Sequence, residues 1–139
     1  MHYLKIKKIL VPVLVFCLIS AIFVYSAQAN AVTKSALVLL IAKDTSGKIL
    51  GTGTGFIVRS EGTLVTNYHV LLDAKTIEAI TFSGDRLPIK AILKVDRAKD
   101  FALLQLPKGV YSTLEVGDSD TLKNFDFLSA LGFLSDNIN

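Results

Sequence analysis

Cysteine is nearly absent from this chain. Of 139 residues only Cys17 is one, and it lies in an apolar N-terminal stretch. Beyond that stretch no disulfide can form and no thiolate can hold a metal, so stability must come from an apolar core. Histidine is almost as scarce: His2 belongs to the same stretch, and His69 is the only other one. A multi-histidine zinc site within the chain is thereby excluded. Net charge is missing too, once the N-terminus is set aside. Taking Lys5, Lys7 and Lys8 from the fifteen basic residues leaves twelve, against twelve acidic ones. A neutral domain without clustered Lys and Arg argues against a nucleic-acid surface. Helical patterns long enough for βαβ crossovers are lacking, so a parallel α/β sheet is not expected.

The N-terminus has the pattern of an export signal. Lys5, Lys7 and Lys8 form a basic start, residues 9–25 are almost wholly apolar, and Ala27-Gln28-Ala29 places small residues where a signal peptidase reads them. This order predicts a signal helix over 1–29, cleaved after Ala29, and an exported, periplasmic or extracellular protein. The alternative is an uncleaved membrane anchor over residues 9–25, whose 17 residues fall just short of the roughly 20 that span a bilayer. Bulky Phe16 before Cys17, with no small residue there, argues against lipidation.

From residue 30 onward, short apolar runs alternate with turn residues. Strands are expected over Ala36–Lys43, Thr54–Arg59, Thr63–Thr66, Thr76–Phe82, Arg86–Val95 and Phe101–Leu106, with a further one over Phe125–Leu131. Asp44–Gly47, Ser60–Gly62 and Ser83–Asp85 are the breaks, and His69–Asp73 is the one expected helical turn. Short strands with frequent turn signals predict an all-β sandwich or barrel.

Three segments are candidates for chemistry. Gly51-Thr52-Gly53-Thr54-Gly55 has neither phosphate-loop spacing and precedes a strand rather than a helix, so it reads as backbone that bends or is closely approached. His69, in Thr66-Asn67-Tyr68-His69-Val70, reads by itself as an ordinary core or surface histidine. Asp100, opening Asp100-Phe101-Ala102-Leu103-Leu104, reads by itself as a turn aspartate. Brought together they would have a use, since a carboxylate on one imidazole nitrogen fixes the tautomer and leaves the other nitrogen as a base.

In order and spacing, Gly53–Val58, Thr66–Val70 and Asp100–Leu104 resemble the trypsin-like serine proteases, most closely the bacterial HtrA/Deg-type branch; Ala130-Leu131-Gly132-Phe133 resembles the A-x-G-[YFN] segment leading to the second barrel. The resemblance covers roughly Ala36 to Phe133. It implies a six-stranded antiparallel barrel over 30–139, the first of two, with His69 as general base and Asp100 as its orienting carboxylate. It also implies a protein or peptide substrate and no cofactor.

The nucleophile of that family sits in a G-x-S-G-G segment. Ser112, Ser119, Ser129 and Ser135 follow Asp100, and none lies in such a segment. The glycine-bearing turn of the oxyanion hole is not found either. The chain by itself is therefore expected to be inactive, an interrupted frame, a sequence fragment or a second chain with the other barrel being the three readings of its length. A non-catalytic exported β-barrel module that binds protein segments is the alternative function.

N-terminal sequencing of the exported protein is expected to give Asn30 as the first residue; a start at Met1 would instead mark the anchor.

Overall fold

A computed structural model describes residues 33–133; the expected signal segment 1–29, with His2 and Cys17, and the tail 134–139 lie outside the described residues. The described chain is all-β, as expected. Its strands are β1 (Leu37–Lys43), β2 (Ile49–Arg59), β3 (Thr63–Thr66), β4 (Thr76–Thr81), β5 (Arg86–Pro88), β6 (Ala91–Asp96) and β7 (Phe101–Gln105). Short 3-10 turns cover Tyr68–Leu71 and Ser119–Thr121. The strands form one curled sheet in the order β5-β4-β1-β2-β3-β7-β6, and every neighbouring pair is antiparallel.

The sheet has seven strands where six were expected. The expected strand Arg86–Val95 is divided at Ile89 and Lys90, where the chain changes partners. Ile89 N–H donates to the Ile77 carbonyl (3.0 Å) on the β4 side, and Lys90 N–H donates to the Gln105 carbonyl (2.8 Å) on the β7 side. The expected strand Phe125–Leu131 does not form. Its apolar side chains find no sheet to join among the described residues, and Phe125 and Phe127 are fully exposed.

The core lies on the concave side: Val38 and Leu40 of β1, Ile57 of β2, Leu64 of β3, Ala79 of β4, Ala102 and Leu104 of β7, then Leu106, with Val70 and Leu71 closing one end. A buried Leu, Ile or Val side chain contributes about 1.5–3 kcal/mol, so this cluster supplies what disulfides do not. At the β2–β3 turn, Gly62 has φ 97°, a conformation side chains other than glycine rarely take. Its carbonyl accepts from Leu106 N–H (2.9 Å), tying the hairpin to the chain leaving β7.

β2 begins at Ile49, five residues before the expected Thr54, because its glycines prolong the strand instead of ending it. In the β1–β2 ladder Val38 faces Gly55, Leu40 faces Gly53 and Ala42 faces Gly51. The alternate glycines thus oppose the inward residues of β1 and leave room on the concave face. A Cβ on Gly53 would run into both methyl groups of Val70, and one on Gly55 would sit 3.1 Å from Leu64 Cδ1 and from Val38 Cγ2. The close approach expected from the glycine spacing is that of Val70, the residue next to His69.

Gly53→Ala is expected to destabilise the fold by about 1–3 kcal/mol, the usual range for overpacking, seen as a lower denaturation midpoint. Adding Val70→Ala removes the obstructing methyl groups, and the double-mutant cycle is expected to return part of that loss.

Candidate active site

Strand register brings His69 and Asp100 together. β3 and β7 are antiparallel neighbours, with Leu64 opposite Leu104 and Thr66 opposite Ala102. His69 comes three residues after Thr66 and Asp100 two residues before Ala102, so both extend past the same end of one ladder. Asn67 starts the 3-10 turn that carries His69, and Val70 and Leu71 of that turn are buried in the core. Val70 enters the space beside Gly53, so the glycine segment and the histidine turn are two sides of one contact.

Asp100 closes the turn between β6 and β7. Its N–H donates to the Arg97 carbonyl (3.3 Å), and Asp96 accepts from Lys99 N–H (3.1 Å). Its backbone is left-handed, φ 50°, which aspartate tolerates better than most residues. Both carboxylate oxygens face the histidine turn. Oδ1 accepts the His69 backbone N–H at 2.8 Å, and Oδ2 lies 2.7 Å from His69 Nδ1. The Asn67 side-chain amide donates to Asp100 Oδ2 (3.1 Å) and to the Asp100 carbonyl (3.3 Å).

These bonds set the charge state. The His69 backbone N–H holds the Asp100 carboxyl below the usual carboxylate range and the His69 ring acts the same way; desolvation opposes them more weakly, and the Asn67 amide adds a smaller lowering effect. An ionised Asp100 selects the Nδ1–H tautomer of neutral His69, leaving Nε2 as the acceptor. The His69 side chain is 65% exposed and that of Asp100 43%, so Nε2 is open to a reacting group and water screens the pair. Among the described residues no hydroxyl is hydrogen-bonded to the His69 ring. The pair can therefore accept and return a proton, but nothing described here is positioned to give one up. A shallow hollow of about 320 Å³ beside the ring is lined by Ala42, Leu50, Thr52, Leu72 and Asp73 among others.

Three nearby features escaped sequence reasoning. The Asn67 amide reaches Asp100; the only available sign was an amide two positions before the histidine. The Arg97 guanidinium lies 5.4 Å from the centre of the Tyr68 ring, bracing the turn. Thr54 links three segments: its carbonyl accepts from Thr66 Oγ1 (2.9 Å) and its hydroxyl from Phe133 N–H (2.8 Å). The Ala130–Phe133 segment thus docks on the glycine-bearing strand.

The sequence and the fold are similar to those of known peptidases. The trypsin-like peptidase domain family matches residues 53–139. The magnetosome formation protease MamE of Magnetospirillum gryphiswaldense is 36% identical over 100 residues, covering 66% of this chain and 12% of MamE. A probable periplasmic serine endoprotease, DegP-like, of Pseudomonas fulva is 36% identical over 81 residues, covering 58% of this chain and 16% of that protein. The crystal structure of the serine endoprotease from Yersinia pestis superposes with a TM-score of 0.59 at 23% identity, over 66% of this chain and 32% of that one. The chain thus spans less than a fifth of the two curated relatives.

A carboxyl held low in the folded chain takes its proton at lower pH than in the unfolded chain. The stabilisation it brings is full above the ordinary carboxylate pKa of about 4 and is lost as pH falls through the depressed folded value. In ¹³C NMR, Asp100 is expected to titrate below the ordinary aspartate value of about 4, and Asp100→Asn to remove that acid-limb dependence of stability.

Proposed function

The chain belongs to the trypsin-like peptidase domain family, in its HtrA-type branch, and on that footing we propose that it carries the general-base half of an exported serine endopeptidase acting on protein or peptide substrates. The observation that carries the proposal is the double engagement of Asp100 with His69, at the backbone N–H (2.8 Å) and at Nδ1 (2.7 Å). In this reading His69 Nε2 takes the proton of a serine hydroxyl as that oxygen attacks the scissile carbonyl, then returns it to the leaving amine. Asp100 keeps the ring in the required tautomer and stabilises the imidazolium.

The hydroxyl and the oxyanion donors have to come from a second barrel, because these 139 residues hold no G-x-S-G-G segment. Positioned oxyanion donors are often the largest electrostatic contribution to acyl transfer, so the 139-residue chain taken alone is proposed to be inactive. Residues 30–139 are proposed as the first barrel of the peptidase domain. Support for closure comes from Ile89 and Lys90, which bond to the β4 side and the β7 side in succession, so β5 and β6 act as the two halves of one bent sixth strand. Export is supported by the basic start, apolar run and Ala27-Gln28-Ala29, and by relatives named as periplasmic endoproteases.

Two measurements test the proposal. The purified 139-residue chain is expected to remain unlabelled by a fluorophosphonate probe, and labelling would refute its inactivity. Joined to the second barrel of a DegP-like relative, it is expected to hydrolyse casein. Asp100→Asn in that chimera should then lower kcat by about 10⁴-fold, and His69→Ala by at least about a thousandfold. Full activity of the His69→Ala chimera would remove the base assignment.

A further inference from the structure

Asn67 is the remaining side chain that bonds Asp100. It is exposed and lies two residues before the histidine. Its amide spans Asp100 from end to end, donating to carboxylate Oδ2 (3.1 Å) and to the carbonyl oxygen (3.3 Å). The two acceptors lie on either side of a residue at φ 50°, a conformation that costs free energy for any residue with a Cβ. A donor gripping both acceptors favours the one backbone state in which the carboxylate faces the histidine turn. Oδ1 is occupied by His69 N–H and Oδ2 by His69 Nδ1, so the Asn67 amide is the only described contact that fixes the carboxylate without being part of His69.

We propose that Asn67 is a positioning residue: its amide, bridging the carboxylate and carbonyl of Asp100, holds the left-handed turn in which both carboxylate oxygens meet His69. The proposal deepens the base-and-orienter reading above and rests on it. Asn67 touches no reacting atom and acts only through Asp100. A second consequence is electrostatic, since a donated amide hydrogen favours the ionised carboxyl, in the direction seen for Asp100. The other charged groups nearby are Asp73, which lines the hollow beside His69, and Asp96, Arg97 and Lys99 of the β6–β7 turn. No side chain of these four bonds His69 or Asp100 among the described residues.

The test is ¹⁵N and ¹³C NMR of the full 139-residue chain, at about pH 8.5 where imidazole is neutral. Wild-type His69 is expected to show the Nδ1–H tautomer. In Asn67→Ala the ring nitrogen shifts are expected to move toward the Nε2–H pattern, and the Asp100 carboxyl to titrate at higher pH, with the β-sheet amide shifts unchanged. Asn67→Gln, with the amide on a longer arm, should recover part of both effects. If Asn67→Ala loses the fold, Asn67→Leu, of similar size without the donor, gives the same readouts. Unchanged tautomer and unchanged Asp100 titration in a folded donor-free variant overturn the proposal. A wild-type ring protonated on Nε2, or one whose tautomer ignores Asp100→Asn, overturns the underlying His–Asp pairing as well, so the two failures are told apart.

Discussion

The pairing of β3 with β7 is the constraint on which the site depends. Leu64 and Leu104 face each other across that ladder, and both are completely buried. A slip of one residue would turn them outward, giving up about 1.5–3 kcal/mol for each. An exposed His–Asp contact cannot compete with that, since water screens it and ordering the side chains costs entropy. The core therefore sets the register, and the register sets the distance between His69 and Asp100. The same logic runs through the glycine strand: removing Cβ at Gly53 makes the seat for Val70, and Val70 anchors the turn bearing the histidine. Chemistry at the surface is positioned by packing beneath it.

Much of this was readable from residue order, for reasons that differ by element. Asp44–Gly47, Ser60–Gly62 and Ser83–Asp85 combine glycine with short polar side chains, and all three are turns in the structure. The runs Leu37–Lys43 and Phe101–Gln105 are strands because they are apolar and bounded by such breaks. The division of Arg86–Val95 was not readable, because side-chain pattern does not record a change of hydrogen-bonding partner. Phe125–Leu131 has the composition of a strand, but composition cannot say whether a neighbouring strand is present to receive it. His69 and Asp100 were legible as a pair only through their motifs in sequence order. The bridging role of Asn67 depends on a backbone angle at Asp100 that no residue type dictates.

The pair stands open to water on one side and rests on a dry core on the other. That asymmetry suits a site assembled between two bodies. The supporting side is preorganised by strand register, and in the proposed reading the other side faces the second barrel. Closing it would exclude water and strengthen every electrostatic interaction at the histidine. The exposed Phe125, Phe127 and Leu128 follow the last strand, on the way to Phe133, whose N–H is held by Thr54. The segment thus leaves the sheet anchored to the strand that seats Val70.

The left-handed backbone at Asp100 also limits how this position can drift. Asparagine and glycine enter that conformation at small cost, whereas valine, isoleucine and threonine are strongly disfavoured in it. Even without the proposed role in proton transfer, the turn would admit only a narrow set of replacements. An asparagine or glycine here in a descendant would testify to the shape of the turn, and would say nothing about whether the chemistry had survived.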